Sequence, residues 1–307
     1  MKGLRAAAAV ASLAAVVPLA HAQEVVAPDS GWEVGARYWW SRGKTEWSHD
    51  ASGVAPYYGN PTSVLVYDKL NAHSLEVHGT KRGRGGWLIS GNVGGGSIYS
   101  GTLNDSDYFA GQVKFSETTS SITDGDLGYA TIDGGYDFLR PAPRTSLGVF
   151  GGFNYWNERV VASGASYNVP AGQRGIPVST AVITNDVKWY SARVGLVGRV
   201  QLGDSFNVSG TLAAVPLTYM RNNDSHHLRT DLGPTPNITM DGTGFGAQLE
   251  AEARYALSKW AEIGLGLRYW KLRATGDIHF VVDGTTLPLN EFQSTRYGAT
   301  LSLTARW

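Results

Sequence analysis

The sequence predicts an all-β fold: an antiparallel β-barrel of ten strands that closes on itself and crosses a membrane. Three observations predict it. Toward the C-terminus the chain alternates strictly, with Phe245, Ala247, Leu249, Ala251, Ala253 and Tyr255 set against Gly244, Gly246, Gln248, Glu250, Glu252 and Arg254. Such a period of two puts each set on one face of a strand. Beyond the first 22 residues no stretch reaches the roughly 18 apolar residues that a transmembrane helix needs. Finally, 39 Gly, 10 Trp and 15 Tyr stand beside only 17% charged residues, a composition that favours strands and turns over helices.

Residues 1–22 are read as a signal peptide. Lys2 and Arg5 precede an apolar run from Ala6 to Ala20, and Ala20-His21-Ala22 supplies a small-x-small cleavage site. The mature chain, 23–307, is then expected to begin near Gln23 and to live outside the cytoplasm. It reads as strands over about 31–45, 64–79, 86–102, 121–138, 145–160, 185–201, 205–221, 243–256, 260–274 and 293–307. An even number brings both termini to one side. Short connections (80–85, 139–144, 202–204, 257–259) alternate with long ones (46–63, 103–120, 161–184, 222–242, 275–292). In bacterial barrels short turns face the periplasm and long loops face outward.

The apolar set carries aromatics at its ends, as a girdle at a lipid interface does, and the chain stops on Trp307. With a signal peptide in front, lipid on the apolar face and a barrel of the bacterial outer-membrane type fit better than a soluble sandwich. The opposite set mixes Gly with Glu33, Arg37, Glu250, Glu252, Arg254, Glu262 and Arg268, which suits a lumen plugged by salt bridges. Ten strands leave an interior that side chains fill, so an open pore is not expected. The functional end is the outer rim.

The 26 basic and 26 acidic residues balance, leaving no electrostatic footprint for nucleic acid. The absence of Cys removes disulfides, thiol nucleophiles and Cys-ligated zinc. No phosphate loop, redox cofactor site or dedicated metal site is visible, although His226-His227 beside acids can bind a metal fortuitously. His73-Ser74 lacks a third partner for nucleophilic chemistry.

Two rim clusters carry chemistry. Asn104-Asp105-Ser106-Asp107-Tyr108 follows the third strand, and Asn222-Asn223-Asp224-Ser225-His226-His227 follows the seventh. Strands three and seven of ten lie nearly opposite, so the clusters converge across the mouth. Asp-x-Asp at a strand top points both carboxylates one way, and one then titrates high. Asp-x-His lets Asp224 orient His226 as a general base. Such an assembly activates water without metal or covalent nucleophile. Taken singly, each cluster also reads as ordinary turn residues.

In these motifs the chain resembles the omptin family of outer-membrane proteases: Asp105/Asp107 with the aromatic Tyr108 next, and Asp224/His226. Ser41-Arg-Gly-Lys-Thr-Glu46 is similar to the family's first-strand segment, and the run from Asp126 to Ala130 resembles the start of its fourth strand. The resemblance implies an endopeptidase of the outer membrane whose active site faces the extracellular side, with Asp105, Asp107, Asp224 and His226 catalytic. It implies Glu46 and Ser120 as substrate contacts. It also implies lipopolysaccharide as an activator held by outward residues, for which Tyr155, Arg159 and Lys188 are the candidates, with Glu158 nearby. Peptides or proteins are the implied substrates; no cofactor and a monomer are expected. Asn222 stands where the family offers an acid, which sets this chain apart from a preference for paired basic residues. A non-enzymatic adhesion or envelope-integrity barrel is the reading from another class, and a lipid-modifying barrel enzyme is a third.

Overall fold

The computed structural model describes residues 31–55 and 57–307; the expected signal peptide lies outside the described residues. Ten antiparallel strands form one closed ring in the order β1-β10-β9-β8-β7-β6-β5-β4-β3-β2. They are β1 Gly31–His49, β2 Ser63–Arg82, β3 Trp87–Phe109, β4 Val113–Ala142, β5 Thr145–Val169, β6 Ile176–Leu202, β7 Phe206–His226, β8 Ile238–Ala256, β9 Ala261–Phe280 and β10 Thr286–Arg306. A helical turn, Thr230–Leu232, breaks the β7–β8 connection. Closure gives every strand a partner on both sides and leaves no open edge.

The lower parts of the strands match the sequence reading closely; the upper parts do not. β3 runs to Phe109, β4 begins at Val113, and β6 begins at Ile176. The long connection expected over 103–120 is therefore a tight turn, and 161–184 is mostly ladder. A 20-residue strand such as β9 covers about 66 Å along its axis, roughly 50 Å in height at the usual tilt. The apolar belt of an outer-membrane barrel is only about 25 Å tall, so half of each strand stands clear of lipid. There the polarity alternation that marks a strand fades, because water wets the outside as well.

The belt itself is bounded by rings. Trp32, Trp87, Tyr136, Tyr255 and Trp307 sit exposed at the short-turn end, while Trp40, Tyr99, Tyr190, Tyr219 and Tyr297 sit exposed at mid-height. Between them Ile89, Val93, Val194, Leu196, Leu265, Leu267 and Leu303 face outward. Just below the upper ring β7 bulges between Val215 and Thr218, where Pro216 has no N–H to give the ladder. At the lower end Gly203 (φ 65°) turns the chain from β6 into β7, a conformation most side chains resist.

Side chains plug the lumen, as expected, in two layers. The lower holds the charges: Arg37 and Arg268 each lie 2.8 Å from Glu76, Arg254 lies 2.9 Å from Glu33 and 2.6 Å from Glu252, and Arg144 lies 2.6 Å from Glu262. Above it Trp39, Trp156, Trp189 and Trp270 are fully buried, with Tyr129 packed edge-on to Trp39 and Trp270. The Arg268 guanidinium lies 4.8 Å from the Trp39 ring and joins the layers. A further pair, Arg296 with Glu158, crosses the lumen at the aromatic level; a Cβ on Gly43 would sit 2.6 Å from the Arg296 guanidinium, so only glycine leaves it room. This plug is the floor on which the rim stands.

Candidate active site

Asp105 and Asp107 lie on β3, opposite Leu65 and Ser63 of β2 and opposite Thr118 and Ser116 of β4. Leu65 and Ser63 are buried inward, so parity turns both carboxylates into the barrel mouth. Asp224 and His226 end β7, opposite Asn185 and Ile183 of β6. Sequence reasoning set these clusters in loops just after strands; Asp105, Asp107 and Asp224 lie within ladders paired on both sides, and His226, the last residue of β7, is paired with β6. Ladder pairing holds side-chain directions far more tightly than a loop does, which suits chemistry that fails at an ångström of error.

His226 Nε2 lies 3.3 Å from Asp224 Oδ2, and Asp224 is wholly buried. Asn237 fixes the histidine's backbone: its Oδ1 accepts the His226 N–H at 2.9 Å, and its Nδ2 donates to the His226 carbonyl at 3.1 Å. Burial pushes Asp105 up to about 7, with the charges of Asp107 and Asp224 adding to the rise and those of His226 and Arg229 opposing it. His226 is pulled down by burial, but the charge and hydrogen bond of Asp224, with the charge of Asp105, raise it above the ordinary imidazole value overall. The two clusters therefore share one electrostatic field across the mouth.

Several polar atoms around this field are buried without a partner: Trp47 Nε1, Tyr67 Oη, Asp105 Oδ1, Asn185 Oδ1, Asn222 Oδ1 and Asp224 Oδ1. Unsatisfied buried groups are rare in folded proteins, and their concentration here marks a place prepared for something polar. Tyr67 keeps its proton far above the usual range, through burial and the nearby charges of Asp224 and Asp105. Tyr67, Trp47, Asn185, Asn237 and Arg229 escaped sequence reasoning, since none sits in a motif. Only the period-two parity of Trp47 and Tyr67 with the buried strand face was there to find.

Other expected contacts divide. Ser120 is buried and faces Leu103 of β3 on the inner side, below the carboxylates. Glu46 does not enter the mouth. Thr45 and Trp47 take the inner positions of β1, and Glu46 on the outer face pairs with Lys44 at 2.6 Å and accepts from Gln293 Nε2 at 2.9 Å. Counting one residue off in a strand reverses the face, and Trp47 holds the inner place. Tyr155 and Tyr190 pack 5.3 Å apart on the outer surface, and Lys188 and Arg159 stand just above them. Glu158 faces inward instead, buried against Arg296. Among the described residues no group of three or more His, Asp or Glu is arranged to hold a metal.

No protein-family model and no curated protein matches the chain. Solved structures do. The outer-membrane protease OmpT of Escherichia coli aligns over 91% of this chain and 97% of its own, with a TM-score of 0.75 and 15% identity. This chain has the OmpT fold. The outer-membrane protein OprG of Pseudomonas aeruginosa and the attachment invasion locus protein Ail of Yersinia pestis align over 91% and 90% of this chain and 97% and 98% of theirs, at 10% identity each, but with TM-scores of only 0.42 and 0.30. The family resemblance seen in the motifs and the fold thus agree.

Proposed function

We propose that the protein is an omptin-like endopeptidase of the bacterial outer membrane, cutting peptides or proteins at its extracellular rim. The observation that carries this reading is the buried Asp224–His226 hydrogen bond facing Asp105 and Asp107 across the barrel mouth. With Nε2–H donated to Asp224, the free lone pair of His226 sits on Nδ1, which takes a proton from water as that water attacks the scissile carbonyl carbon. Asp105, with its pKa near 7, is protonated in about half of the molecules at neutral pH, and in that form offers its proton as a hydrogen bond to the oxygen that becomes negative. His226 then returns its proton to the leaving amine. The carboxyl fragment and the amine fragment balance the water consumed.

Asn222 lies two residues before Asp224 on the same buried face, and its Nδ2 contacts Met240 Sδ at 3.7 Å. Val187 and Met240, its cross-strand partners, are buried too, so this wall favours an uncharged side chain next to the cut. Lipopolysaccharide belongs to the reading as an activator held on the outside by Tyr155, Arg159 and Lys188. Mass-spectrometric readout of a peptide library, with refolded protein and lipopolysaccharide, tests the proposal. Cuts that vanish in Asp224→Ala and His226→Ala are the expected result; a folded wild-type preparation that makes no cuts sinks it.

A further inference from the structure

The opposite end of the barrel, where the short turns lie, holds a cavity of about 140 Å³ and, beside it, a vestibule of about 270 Å³. Both volumes exceed the ~30 Å³ share of one water several-fold. Glu33, Thr80, Arg82, Arg144 and Arg199 line both spaces, and Lys259 and Arg306 line the vestibule. Five cations thus meet one carboxylate at the vestibule wall.

Most of these cations are already engaged. Arg82 lies 2.5 Å from Asp137, and Arg144 and Arg306 each lie 2.6 Å from Glu262. Arg199 differs. Its sole carboxylate contact among the described residues is Glu33 at 3.5 Å, and Glu33 is held more closely by Arg254 at 2.9 Å. Arg199 is only 9% exposed, yet its Nε and Nη2 are buried without a partner, as is Nε of Arg82. A buried guanidinium with two idle nitrogens is costly unless something accepts from their N–H groups. The planar fork of Arg matches an oxyanion in two-point fashion.

We propose that this vestibule is a binding site for a small oxyanion, a carboxylate or phosphate group, gripped by Arg199 with Arg82 and Arg144 beside it. The site is separated from the rim by the aromatic layer of Trp39, Trp156, Trp189 and Trp270, so it serves a ligand that arrives from the short-turn side. Under the outer-membrane reading that side is the periplasm. The binding chemistry does not depend on that orientation or on peptidase activity.

Isothermal titration of the refolded full-length chain in a non-ionic detergent tests it, with inorganic phosphate in one arm and succinate in the other. Saturable binding of at least one probe with Kd below about 1 mM, weakened at least tenfold in Arg199→Gln, is the expected result. Phosphate alone points to a phosphorylated ligand, succinate alone to a carboxylate. Arg144→Gln, which leaves Arg199 in place, is expected to weaken binding at least threefold and serves if Arg199→Gln does not fold. No saturable heat with either probe, or equal affinity in folded Arg199→Gln, overturns the site.

Discussion

The lumen and the rim treat carboxylates in opposite ways. In the lumen each acid meets a guanidinium: Glu76 with Arg37 and Arg268, Glu158 with Arg296, Glu262 with Arg144 and Arg306. At the rim Asp105, Asp107 and Asp224 crowd together with one imidazole, and Arg229, the nearby cation, is bound up with Asp231 at 2.7 Å. Buried pairs hold a register and keep charge from being stranded. Burial, with crowded like charges adding to it, instead raises a pKa toward neutrality, which is the condition acid–base chemistry needs. The structure spends stability at one end of the barrel and keeps it at the other.

The largest expected effect breaks this contrast from both sides. Asp224→Ala and His226→Ala are expected to lower cleavage by roughly 10²–10⁴-fold, with thermal stability nearly unchanged. Arg268→Met, which leaves Glu76 and Glu250 to share Arg37 beside the aromatic layer, is expected to cost about 3 kcal/mol, a drop in Tm on the order of 10 °C. Melting curves and rates measured together check both; equal destabilisation by all three substitutions would remove the distinction.

Next comes pH. His226 must shed its proton to act, and its raised pKa moves the acid limb of the rate profile upward from the ordinary imidazole range. Asp105 must keep its proton, so activity declines above about 7, and Asp105→Asn flattens that alkaline limb while lowering the peak. The stability sign follows from linkage. The folded-state pKa of Asp105 lies above its unfolded value, so the native state binds more protons between the two and stability falls as pH rises toward about 7. Asp105→Asn is therefore expected to stabilise the protein at pH 8, on the order of 1–3 kcal/mol, and to do little at pH 4. Urea unfolding at the two pH values reads it out.

A smaller effect concerns choice of substrate. Asn222→Asp restores an acid to the wall beside Met240 and is expected to raise cleavage next to Lys or Arg about tenfold relative to apolar sites, one ion pair's worth of discrimination. An unchanged library profile would move the specificity wall elsewhere. The smallest effect lies outside the barrel. Arg159→Ala and Lys188→Ala are each expected to weaken lipopolysaccharide activation about fivefold, as a single cation near an anionic headgroup would. Titration of activity against added lipopolysaccharide measures it.

By itself the sequence determined the strand count, the closed ring and the inner and outer faces, because in the lipid-crossing part a period of two must separate apolar from polar residues. It also placed Asp105, Asp107, Asp224 and His226 at the mouth, since short spacings on a strand leave little freedom of direction. It did not reveal how far the strands rise: above the lipid both faces are wet, so Asp107 in β3 and Asn168 in β5 look like turn residues. It misled at Glu46, where parity from a neighbouring motif is one residue from the truth and Trp47 faces in. Only the tertiary structure decided what stands beside the cluster. Tyr67 comes from β2, and Asn237 and Arg229 come from the β7–β8 connection; only barrel closure brings them to one field. The idle Arg199 was equally hidden, because whether a guanidinium finds a partner depends on which carboxylates the opposite wall has already committed.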